Sequence, residues 1–147
     1  MVAMVARPGC SPAGQSERAG PWARRRWQQE PEEHDYPAAA SYLSLIAPSE
    51  VVEATVSALR SAPINTHKAK DVLGASQLPL LPRDNKHVDH DLHKIAKNKP
   101  LSPVLIIRGH LTCGIPAQIA DGYHRVCASY HVDENVNIPA RIADYPR

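Results

Sequence analysis

The last third of the chain leaves few choices of architecture. Two short aliphatic runs, PVLIIR (103–108) and AQIA (117–120), flank GHLTCG, a stretch that begins and ends in glycine, which is a strand–turn–strand pattern. Asp121-Gly122 stops the second run. A helix-like segment follows from about Tyr123 to His131, then the loop DENVN, and IPARIA reads as a closing strand. Strands joined once by a hairpin and once through a helix require one sheet of mixed connection, so the expected class is α+β, a small mixed β-sheet with short helices. At 147 residues there is room for one domain with a real core, and without any Phe that core must be Leu, Ile, Val and Ala.

Upstream, Val52, Val56 and Leu59 recur at helical spacing and Pro63 enforces a stop, which predicts an amphipathic helix over 49–61. Thr66 is placed to cap a short helix from His67 to Leu73, ended by Gly74. The paired prolines of QLPLLPRDN (77–85) predict an extended segment, after which Asp89 caps a helix with Leu92, Ile95 and Ala96 on one face. Residues 1–33 lack apolar period and are rich in Pro, Gly, Ser, Arg and Gln, so they read as a flexible leader to a domain over 34–147. Within it, Trp22 and Trp27 flank Arg24, Arg25 and Arg26, a pattern suited to nucleic acid or a membrane surface. A plain basic leader explains the same composition.

Several function classes fall away. Cys10, Cys113 and Cys127 are odd in number, far apart and form no CxxC, so neither a disulfide framework nor a zinc knuckle is indicated and a reducing, cytoplasmic setting fits. No apolar run approaches the roughly 18 residues of a membrane span. A net charge of +2 names no partner. The HVDHDLH run offers His87, His90 and His93, but three-residue steps on a helix spread the imidazoles over a broad arc, so it reads as a solvated face and no metal site is expected.

The chemistry concentrates at Asp121-Gly122-Tyr123-His124-Arg125. Amides of a helix's first turn point at a common spot and favour anions, and a glycine there lets a ligand approach the backbone. Cations in that turn oppose the helix dipole unless an anion is bound. Arg125 can grip phosphate through two parallel bonds and His124 can donate another. The alternative is that Arg125 pairs with Asp121 or Asp133 and His124 is merely solvated; spacing alone does not separate the two. Asp121 is likewise suited to Mg²⁺ binding or proton acceptance, or to capping its own helix.

The segments LPRDN (81–85), KNKPLSPVLIIRG (97–109), DGYHRVCASY (121–130) and NIPARIA (137–143) resemble, in order and spacing, the ParB/sulfiredoxin superfamily, and HDYPAAASYLSL (34–45), THKAKDVLGASQLPLLP (66–82) and the DGYHR block together resemble its uncharacterised bacterial ParB-like proteins. Sulfiredoxins hold ATP, ParB-type clamps CTP and free-serine kinases a phosphoryl donor at this helix start, so the resemblance implies nucleotide phosphate on Gly122, Tyr123, His124 and Arg125, with Arg83 and Asp84 of the Pro-Arg element reaching the nucleotide. It departs from the family where Tyr123 stands at the reactive cysteine of sulfiredoxins, which argues against sulfinic-acid repair. Gly-Tyr-His-Arg also replaces the Gly-Glu-Arg-Arg of the clamps, losing an acid tied to hydrolysis. Cys127 reads as an inert core thiol. The expectation is therefore a nucleotide-binding domain, with a nucleoside triphosphate and Mg²⁺ as cofactor and Asp121 and His124 as the groups for any phosphotransfer or hydrolysis. The competing expectation is a nucleic-acid-associated module, a DNA-binding regulator or weak nuclease, using the basic leader. Either is compatible with a homodimer.

Overall fold

The computed structural model describes residues 27–144. Five helices and a four-stranded sheet run in the order α1 (Asp35–Leu43), α2 (Ser49–Ser61), β1 (Ile64–Lys68), α3 (Ala69–Ser76), α4 (Lys86–Ala96), β2 (Val104–Ile107), β3 (Gln118–Asp121), α5 (Tyr123–Val132) and β4 (Asn137–Ala143). The strand order is β1-β4-β2-β3. β2 and β3 form an antiparallel hairpin, β4 returns through α5 to lie parallel to β2, and β1 pairs antiparallel on the outer side of β4. The fold is α+β with a mixed sheet and short helices.

The side-chain period of two in β2 divides the core. Val104 and Ile106 face α3, α4 and α5 with Ile119, Ile138 and Ala140, whereas Leu105 and Ile107 face α1 and α2, meeting Tyr36, Leu43, Val52 and Leu59. All four β2 residues are buried, which is why the run carries no polar alternation. Leu59, fully buried at the end of the predicted 49–61 helix, contributes on the order of 1.5–3 kcal/mol through burial.

Three sequence expectations shift. Residues 64–68 are a strand, not the start of a Thr66-capped helix: Thr66 pairs with Pro139, and the helix begins at Ala69 and runs through Gly74 to Ser76, where Gln77 turns left-handed. The cap of α4 is Asn85, four residues before Asp89, its side chain accepting the His87 and Val88 amides. The folded domain also reaches back past residue 34. Trp27 is buried in the larger core cluster and bridges Leu101, with the Gln28 amide donating to the Leu101 carbonyl. It is a core residue, not an exposed stacking platform. Trp22 and the three arginines after it lie outside the described residues.

Candidate functional site

β3 delivers Asp121 to the sheet's end and α5 starts two residues on. The turn is made by Gly122 at φ 114°, a backbone angle that L side chains rarely adopt, with the position of a would-be Cβ only 2.5 Å from Val104 Cγ1. Gly122 brings no capping side chain, and among the described residues no side chain bonds the amides of the first turn.

Arg125 does not face outward. Its Nη2 donates to Asp121 Oδ2 at 2.9 Å and to the Pro103 carbonyl at 3.3 Å, and stands 4.0 Å from Asp35 Oδ2. Asp35, at the buried start of α1, takes the Ser102 hydroxyl and the Glu32 amide. The guanidinium thus ties α5 to β3, to the residues before β2 and to α1. Of the two carboxylates open to it in sequence terms, Asp121 holds it; Asp133 instead caps the loop by accepting the Asn135 amide. Burial raises the Asp121 pKa, Arg125 opposes that rise, and Asp35 adds to it. Through its Nη2 Arg125 thus serves as an internal strut that engages Asp121, while its buried Nε has no hydrogen-bond partner among the described residues.

His124 faces the other way, onto α4. Its ring lies 4.8 Å from that of His87, centroid to centroid, and 5.8 Å from Tyr123. Both histidines sit in the first turn of a helix, so two helix starts converge there. Partial burial lowers the His124 pKa, with His87 next in effect, while Asp91 on α4 works against them. Asp91 is itself pushed up by burial, with Arg125, Lys94, His90 and His124 drawing it down. A depression of about 570 Å³ on α4 is lined by Lys86, His87, Asp89, His90 and His93, so of this pair only His87 borders it.

The remaining predicted residues are dispersed. Tyr123 donates its hydroxyl to the Pro79 carbonyl at 2.5 Å, pinning the extended 77–85 segment across α5, and burial pushes the phenol pKa up. Arg83 reaches the carbonyl of His131, near the opposite end of a helix about 15 Å long, and His131 in turn bonds the Leu81 carbonyl. Asp84 lies exposed in the turn before α4. Neither is brought to Gly122. Cys127 is fully buried with its thiol pKa raised by desolvation, as an inert core group would be. No group of three His, Cys, Asp or Glu among the described residues is placed to hold a metal ion.

No family model, curated protein or solved structure matches the chain. The geometry adds three participants that the sequence reading did not place at this junction: Asp35, and His87 and Asp91 from the HVDHDLH run read as a solvated face. The signal for two of them was present: His87 and Asp91 are four apart, so they share one face of α4, and that face is turned to α5.

Proposed function

We propose that the start of α5 is a phosphate site for a nucleotide, formed by the amides following Gly122 and by the His124 and His87 imidazoles, with Arg125 as the strut that fixes the turn. The carrying observation is the pair of imidazoles from two helix starts, 4.8 Å apart, beside amides that no side chain satisfies. An arriving phosphate would supply acceptors to those amides and the negative charge that both helix starts favour. It would also compensate the desolvation that disfavours the His124 imidazolium. The motif resemblance to the ParB/sulfiredoxin superfamily supports the same assignment and narrows the ligand to a nucleoside triphosphate. Mg²⁺ belongs to this reading as the partner of the phosphates, carried in with them.

His124 is the group for proton transfer in this arrangement, since its ring is partly accessible and burial favours its neutral, proton-accepting form. Asp121 orients Arg125 and through it the turn.

Calorimetric titration of the full chain with ATP, CTP and inorganic phosphate, each with and without Mg²⁺, tests the site. Expected is saturable binding of at least one nucleotide in the micromolar range, weakened about tenfold in His124→Ala by loss of a charge-assisted contact. Absence of heat with every phosphate compound, or equal binding by His124→Ala and wild type, rejects it.

A further inference from the structure

A separate cavity of about 640 Å³ opens at the other end of the sheet, where β2 ends and the hairpin loop 109–116 overhangs α3. Its volume lies within the ~300–1,000 Å³ usual for small-molecule sites. The floor is apolar: Val72 of α3, Ile106 of β2, Ala117 and Ile142. The rim carries Arg108, His67 and His110 against one carboxylate, Asp71. Arg108 is bound to Asp144 only through Nε, at 2.9 Å, so among the described residues its two terminal nitrogens are uncommitted.

The overhanging loop is firmly based. A Cβ at Gly109 would collide with the Ile115 carbonyl and come within 2.8 Å of the Ala117 nitrogen, and the His110 and Ile115 amides exchange bonds with each other's carbonyls. Beyond that base, Leu111 lines the cavity yet is 96% exposed, an apolar side chain in water at the edge of an apolar hollow. A ligand with an apolar body would give Leu111 the contact it lacks.

We infer that this cavity is a binding site for a small organic acid, its apolar body on the Val72–Ile106–Ile142 floor under Leu111 and its carboxylate on the Arg108 guanidinium. An acid is assigned because Arg108 is the one fixed cation of the lining and, with Asp144 taking only its Nε, the two terminal nitrogens are left to donate to an acceptor. Arg108 can meet a carboxylate with two parallel hydrogen bonds. The site is independent of the phosphate reading, since none of its lining residues belongs to the start of α5.

The probe is 1-naphthoate, titrated by calorimetry into the full chain, with 1-naphthylmethanol as the uncharged counterpart. Expected is saturable binding of the acid, about tenfold tighter than that of the alcohol through the charge-assisted pair. Ala75→Trp, at an exposed helix position on the cavity wall, should abolish binding of both compounds while the urea unfolding midpoint stays near wild type. Arg108→Gln should bring the acid down to the alcohol's affinity. No saturable binding of the acid, equal binding of acid and alcohol by wild type, or binding that survives Ala75→Trp each overturns the assignment.

Discussion

Replacing Arg125 by alanine separates a strut from a ligand. In the wild-type protein the guanidinium meets Asp121 at 2.9 Å, the Pro103 carbonyl at 3.3 Å and Asp35 at 4.0 Å, with its side chain only 17% exposed. Removing one member of a buried ion pair costs about 3–5 kcal/mol because the remaining charge is left unpaired, and the slight exposure here favours the lower end, about 3 kcal/mol. With a urea m-value of about 1.5 kcal/mol per M, the unfolding midpoint should fall by roughly 2 M. The pH dependence has a definite sign. Burial already raises the Asp121 pKa and Arg125 opposes it, so deleting Arg125 raises it further and penalises the ionised form. The deficit should be full at neutral pH and shrink in mild acid as Asp121 protonates. Arg125→Met combined with Asp121→Asn should recover much of the loss, since both charges are gone. An Arg125→Ala protein with a wild-type midpoint but no phosphate affinity would refute the strut and restore Arg125 as a ligand.

Gly122→Ala should destabilise by roughly 2–5 kcal/mol, combining about 1–2 for the backbone angle with about 1–3 for overpacking against Val104, and Val104→Ala in the same chain should return the packing part; urea titration reads both. Thiol labelling followed by peptide mapping should modify exposed Cys113 under native conditions and Cys127 only on unfolding, because the latter is buried with a raised thiol pKa. For His124 the folded pKa is lowered, so stability should decline as pH falls through the ordinary imidazole range and level off below the folded value, a decline absent in His124→Gln. Phosphate favours the imidazolium, so binding should tighten over the same range and take up protons, seen as buffer-dependent heats.

The sheet was largely legible because its signals are local. VLII (104–107) is unbroken apolar, since β2 is covered on both faces, and Asp121-Gly122 marks a turn whose backbone only glycine takes easily. The 49–61 helix was legible from its period and its proline stop, and the structure returns it as Ser49–Ser61. β1 was not, because INTHK is an edge strand with four exposed residues, held by β4 and not by any alternation of its own. The α4 start was placed too late, at Asp89, because Asn85 is an equally capable cap whose choice goes with Val88 being buried in the core. Trp27 was misplaced since its partner, Leu101, is far along the chain. Within the candidate site, the Gly122 turn into a helix could be read from the junction itself. The direction of Arg125 could not, because it depends on Asp35 and the Pro103 carbonyl, brought in by other elements.

Amide and imidazole NMR of the full chain during addition of ATP with Mg²⁺, and of inorganic phosphate, tests the phosphate site most directly. Saturable shifts should gather at Tyr123, His124 and the backbone of Arg125, and at the His87 and His124 rings, while Arg83 and the cavity beside Arg108 stay unmoved. A spectrum unchanged at millimolar ligand, or shifts centred away from the start of α5, would contradict it.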